Sequence, residues 1–152
     1  MNTTFRLSPL LLLLGLAFFT HCKSKGSKTT PTPGIDLNKA WKTVEAKEGT
    51  TVVYKANATA SIYPGYSRFR LVFEQSRVSL TEVTGETFSG NWTLEPEQKK
   101  LTLQALNPIP YGTNATINYT VVSWSPDQLV LLRNTENPKT GNTRNEYTLV
   151  PE

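Results

Sequence analysis

Cysteine and histidine are nearly missing from this chain: each occurs once, side by side, as His21 and Cys22. A lone cysteine excludes a disulfide within the chain. The pair stands at the end of a hydrophobic stretch, ahead of any segment able to fold around it. As a metal site or a nucleophile with its base it would have nothing to position it. The sequence also lacks a basic stripe. From Ile35 onward, twelve Lys and Arg face twelve Asp and Glu, so the formal charge of +4 lies wholly in Arg6, Lys23, Lys25 and Lys28. A nucleic-acid binder needs clustered cations to neutralise phosphates, and that class of partner is set aside.

What the chain does have begins with a leader. A short polar start carrying Arg6 precedes an uninterrupted apolar run from Leu10 to Phe19. A run of that length suits the hydrophobic region of a signal peptide and falls short of a bilayer core of ~30 Å. Cys22 follows, then the polar string KSKGSKTTPTPG (Lys23 to Gly34). The arrangement resembles a bacterial lipoprotein signal, in which the cysteine becomes the first mature residue and carries lipid on its sulfur and amine. That pattern favours a small residue before the cysteine and an aliphatic one three before it; His21 and Phe19 stand there. Ordinary secretory cleavage needs an Ala-x-Ala-like site, which AFFTH does not offer. Residues 1–21 are therefore expected to be a signal peptide and Cys22 the lipidation site. Residues 22–34, which have no apolar side chain after the cysteine, are expected to be a flexible tether. Cleavage before Cys22 also removes His21. The mature chain then has no imidazole and no free thiol, which excludes His-ligated zinc, thiolate nucleophiles and His-based serine triads.

From residue 35 to 152 the chain is a succession of strand signals cut by turns. AWKTVEA alternates Trp41, Thr43 and Glu45 against Lys42 and Val44, and TVVYKANATASI continues as strand. After the Tyr63–Tyr66 turn YPGY, RFRLVFE sets Phe69, Leu71 and Phe73 on one face. VSLTEV follows, and TFSGNWTLE places Phe88, Gly90, Trp92 and Leu94 on one face. KLTLQAL places Leu101, Leu103 and Ala105 together. The loop NPIPYGTN, then ATINYTVVSW, LVLLRN and TRNEYTLVP complete the series. No segment has convincing helical periodicity. Eight or nine strands joined mostly by hairpins predict an all-β, up-and-down antiparallel barrel, with a β-sandwich as the alternative.

With the strands laid out, Trp41, FRLVF, FSGNWTLEPEQKKLTL, INYTVVSWSPDQLVLLR and EYTLVP give the folded part a likeness. It resembles the small lipocalin-like lipoproteins found widely in Bacteroidetes. The resemblance implies a barrel whose base is closed by Trp41 beneath an arginine of a late strand, Arg133 or Arg144. It implies a small apolar or amphipathic ligand, or else a solid-cored envelope module that binds another protein. Lysines rather than acidic residues after Cys22 imply a lipid-anchored, periplasm-facing location in the cell envelope.

Tyr63, Tyr66 and Tyr111 sit in Pro- and Gly-containing loops and Trp124 ends a strand. Aromatic rings at a barrel mouth can grip an apolar ligand, and these four are the candidate ligand-binding residues. Arg68 and Arg70 share a face that could meet an anion. The carboxylates are scattered, with no motif for an acid–base pair. No catalytic residue, metal ligand or cofactor is expected, and the reading is of a protein that is not an enzyme.

Overall fold

The computed structural model describes residues 34–152. Nine strands run β1 (Ala40–Glu48), β2 (Thr51–Lys55), β3 (Arg70–Glu74), β4 (Arg77–Thr81), β5 (Thr87–Glu95), β6 (Lys100–Asn107), β7 (Ile117–Ser125), β8 (Gln128–Arg133) and β9 (Asn145–Pro151). All pairings are antiparallel between neighbours in sequence, except that β1 also pairs with β3 and with β9. Because β1 bonds β9 along one edge and β3 along the other, eight strands close on themselves; closure removes the exposed edges of an open sheet. The ninth, β2, extends the wall at one end. β1 gives Ala40, Trp41 and Lys42 to β3 and then Glu45 to Glu48 to β2. The β-sandwich alternative is thereby excluded.

Period-two alternation fills the interior. Leu71, Phe73, Val78, Leu80, Phe88, Leu101, Leu103, Tyr119, Leu131, Tyr147 and Leu149 are all buried and form one continuous core. Phe69 stacks on Tyr147 with centroids 4.0 Å apart, and Phe73 meets Trp92 edge-on at 5.0 Å. The strands and the buried core described here lie between Leu37 and Pro151, so the chain from Cys22 onward carries the whole described fold. Burial of this many large apolar side chains, each worth about 1.5–3 kcal/mol, supplies the driving force without a disulfide.

Alternation fails where bulges intervene. Ala105, expected inward, is exposed: two residues of β6, Ala105 and Leu106, oppose the single Gly90 of β5, and Ala105 takes φ +53°. The extra residue shifts the phase, and Leu106 points inward instead. Glycine at position 90 is what allows this. A Cβ there would lie 2.5 Å from the Gln104 carbonyl oxygen and 3.1 Å from that of Ala105. A bulge between Thr43 and Glu45 likewise turns Glu45 outward, to 3.5 Å from Lys55, and brings Ala46 in. The second expected strand is also shorter than its sequence implied. It ends at Lys55, and Asn57 adopts a left-handed φ of +65°, which asparagine tolerates and an extended strand does not.

One end of the barrel is closed by the segment preceding β1. Leu37 is wholly buried there, and its carbonyl accepts a hydrogen bond from Trp41 Nε1 at 3.1 Å. The cover over the tryptophan is Lys39, whose ammonium lies 5.2 Å from the ring centroid and donates to the Pro126 carbonyl at 3.1 Å. Neither arginine performs this task. Arg133 ends β8 and Arg144 precedes β9, so both belong to the opposite end. The expected signal peptide, Cys22 and all of the expected tether but its last residue, Gly34, lie outside the described residues.

Candidate functional site

The opposite end, the mouth, carries the long connections: β2 to β3, β4 to β5, β6 to β7 and β8 to β9. The last of these crosses the opening. Its tip is a short 3-10 turn, Pro138–Thr140, capped by Asn137, whose side chain accepts from the Lys139 amide at 3.1 Å. A bridge between Asn137 and Thr143 closes the tip at its neck. Lys139 is thereby held out to the β4–β5 turn, on the far side of the ring of strands. Its Nζ lies 2.6 Å from Glu82 Oε2 and 2.7 Å from Glu86 Oε2, and 5.6 Å from the Phe88 ring centroid.

This strap covers a polar layer. Arg133 is only 2% exposed and lies 4.0 Å from Glu82 Oε1, with its Nε unpaired. Asn145, wholly buried, donates to the hydroxyls of Tyr66 at 3.1 Å and Tyr147 at 3.3 Å. Its Oδ1 accepts from Thr143 at 2.8 Å and Thr140 at 3.1 Å, which ties the strap to β9. Tyr66 in turn donates to Glu48 Oε1 at 2.8 Å.

The electrostatics follow from this packing. Burial opposes the charge on Lys139, but its hydrogen bonds to Glu82 and Glu86 outweigh that and raise its pKa. The hydrogen bond from Lys139, with a second from Thr84, holds the Glu86 carboxyl below the ordinary glutamate value. Burial pushes the Tyr66 and Tyr119 hydroxyls well above the ordinary tyrosine value and raises Tyr147 to about 12.

A cleft of about 530 Å³ opens on the mouth beside the strap. Tyr63, Tyr66 and Val83 form its apolar part, and Glu48, Lys139 and Thr140 contribute polar groups. Of the four candidate aromatic residues, Tyr63 lines the cleft half-exposed. Tyr66 also lines it but is buried, with its ring in the core and its hydroxyl between Glu48 and Asn145. Tyr111 is 71% exposed on the β6–β7 loop at the same end and does not line the cleft. Trp124 is at the other end, in the β7–β8 hairpin, packed against the core with its Nε1 unpaired. The four therefore do not form one site. Arg68 and Arg70 also separate: Arg70 pairs with Glu152 at 2.8 Å, whereas Arg68 ends an exposed turn.

Sequence reasoning missed Glu48, Glu82, Lys139 and Asn145. Two signals could have found part of this cluster. The inward phases Leu129, Leu131, Arg133 and Leu149, Tyr147, Asn145 each end in a polar residue at the same end of the barrel. ENPKTG also fixes a lysine in a rigid turn between an asparagine cap and a glycine.

Eight antiparallel strands in sequence order, closed by pairing the first with the last and plugged at one end by the preceding segment, define an up-and-down barrel of lipocalin-like architecture. No family model matches the chain, and no curated protein matches it. Two solved structures are similar. A lipocalin-like protein from Bacteroides uniformis has 14% identity and a TM-score of 0.47, over 78% of this chain and 100% of that one. An uncharacterized protein from Bacteroides eggerthii has 12% identity and a TM-score of 0.48, over 77% of this chain and 100% of that one.

Proposed function

We propose that this protein is a lipid-anchored envelope protein whose barrel holds a small amphipathic ligand in the cleft at its mouth, without catalysis. The observation that carries the reading is the pairing of a side-chain-filled interior with an open cleft above it. A ligand has room beside Tyr63 and the strap, not along the barrel axis. The cleft combines an apolar wall with a few fixed polar groups, the usual make-up of a small-molecule site. The non-catalytic reading draws support from the converging carboxylates, Glu82 and Glu86. They share one lysine between them, and Glu86 is pushed towards a lower pKa, the reverse of what a general acid needs.

Native mass spectrometry of protein purified from its own envelope tests the ligand, with release of a bound small molecule expected. Mapping by nuclear magnetic resonance must then place that molecule at Tyr63 and Val83. A protein that carries nothing, and whose cleft resonances respond to no amphipath, would overturn the reading. The anchor rests on the leader and Cys22. Cys22→Ser is expected to abolish palmitate labelling and release the protein from the membrane fraction; unchanged labelling would refute it.

A second reading, a protein-interaction module, is favoured by exposed apolar side chains at the same end. Ile62 on one loop and Ile109 and Tyr111 on another are 62%, 65% and 71% exposed. Cross-linking in cells should then trap a reproducible partner, lost when Asn107 to Asn114 is deleted.

A further inference from the structure

We infer that the mouth cleft selects a ligand whose head is a cation, an ammonium above all, with a short apolar body lying against Tyr63. The inference deepens the ligand-binding reading above and rests on it.

Lys139 is the basic side chain of the lining, and its ammonium is already engaged by Glu82 at 2.6 Å and Glu86 at 2.7 Å. The Thr140 and Thr143 hydroxyls are turned onto Asn145, and the Tyr66 hydroxyl onto Glu48. Apart from the Tyr63 hydroxyl, every side-chain donor of the lining thus has an acceptor within the protein. An anionic head entering the cleft would meet no uncommitted cation, and burying a charge without a partner is costly.

The acceptors are differently placed. Glu48 is the acidic side chain of the lining. It takes one hydrogen bond, from Tyr66 on Oε1, and no Lys or Arg among the described residues lies within 4.0 Å of it. A carboxylate has about four lone-pair sites, so most of its accepting capacity is unused by the protein's own donors. The basic side chains of the adjoining loops, Arg68 and Arg144, are exposed and do not line the cleft. Beside Glu48 stands Tyr63, half-exposed, whose ring face attracts a cation while its edge and Val83 cover an apolar chain. The mouth already holds one ammonium in this manner: Lys139 lies between two carboxylates and 5.6 Å from the Phe88 ring.

The test uses the chain from Cys22 onward with Cys22→Ser, titrated with three probes of equal length: octylamine, octanoate and octanol. Chemical shifts of Tyr63, Val83 and Thr140 report on the cleft. Octylamine is expected to bind about tenfold more tightly than octanoate, the product of about threefold from attraction of the ammonium and about threefold from repulsion of the carboxylate by one partly exposed charge. Glu48→Gln should bring the two within about threefold of each other. Octanoate or octanol binding the cleft as well as octylamine would overturn the cation preference and leave the ligand reading standing. No response in the cleft to any of the three would overturn both. The comparison on the unmodified cleft decides the matter even if Glu48→Gln perturbs Tyr66.

Discussion

Lys139 and Glu82, 57 residues apart in sequence, meet across the barrel mouth with Nζ 2.6 Å from Oε2. Their side chains are 16% and 7% exposed, and Glu82 has Arg133 on its other side. The contact joins the β8–β9 strap to the opposite turn, so its loss is felt by the whole upper layer. Lys139→Met should destabilise the barrel by about 2–3 kcal/mol, somewhat below the ~3–5 kcal/mol typical of breaking a fully buried pair. Adding Glu82→Gln should recover part of that loss. Chemical denaturation of the two variants provides the measurement, and equal stability of Lys139→Met and the parent would refute the latch.

The same contact predicts a pH window for the strap. Glu86 has a lowered pKa in the folded state, so its contribution is present above the ordinary value of 4.5 and is lost as pH falls through the depressed value. Lys139 has a raised pKa, so its contribution is full below 10.5 and is lost as pH rises through the elevated value. Hydrogen exchange at the amides of Lys139 and Thr140, corrected for intrinsic rates, should show constant protection from pH 4.5 to pH 10.0, where the buried tyrosines begin to weigh against the fold, and a fall outside that range.

Alkaline titration should separate the buried tyrosines from ordinary ones. Burial raises Tyr66, Tyr119 and Tyr147, the last to about 12, so unfolding releases their protons once pH exceeds the ordinary value of 10.0. Stability is then lost from pH 10.0 upward, and tyrosinate absorbance from these rings should appear together with the loss of β-sheet circular dichroism. Their smooth ionisation in a folded barrel near pH 10.0 would contradict the packing.

Gly90 and Ala105 form a paired test of the bulge. Gly90→Ala places a methyl 2.5 Å from a backbone oxygen that cannot rotate away, and should cost about 3 kcal/mol, the upper part of the range for overpacking. Ala105→Gly acts in the other direction. It relieves a left-handed alanine on the surface and should be stabilising by about 0.5–1 kcal/mol. Thermal melts of both variants check the opposite signs.

Asn145 uses both its donors and its acceptor inside the protein. Asn145→Leu removes four hydrogen bonds, from Thr140 and Thr143 and to Tyr66 and Tyr147, and leaves the two threonine hydroxyls only the backbone carbonyls of Asn137 and Thr140; the cost should be about 2–4 kcal/mol. Because the residue ties the strap to β9, the variant should also lose protection at Thr140 and Asn142, whose amides both donate to the Asn137 carbonyl, before the barrel unfolds globally. Uniform loss of protection across all strands would instead mean that Asn145 serves the core alone.

The class of fold and most of the barrel wall were legible along the chain. TFSGNWTLE became β5 to the residue, and Phe69, Leu71 and Phe73 went inward together, because a strand in a sheet with one buried face must alternate with period two. Hairpin-length connections then left few topologies other than a meander closing on itself. Tertiary structure alone decided where that alternation slips, since a bulge depends on what the partner strand offers: Ala105 turns out because Gly90 lets the β6 backbone approach. It alone decided the ends as well. Whether an aromatic residue lies at the mouth or the base depends on strand direction and closure, which carried Trp124 away from Tyr63. The cluster of Glu48, Tyr66, Glu82, Lys139 and Asn145 draws on four separate stretches of chain. Local patterns point to Lys139 and Asn145 singly and not to the cluster, because the groups are brought together only when β9 pairs with β1 and the strap falls across the opening.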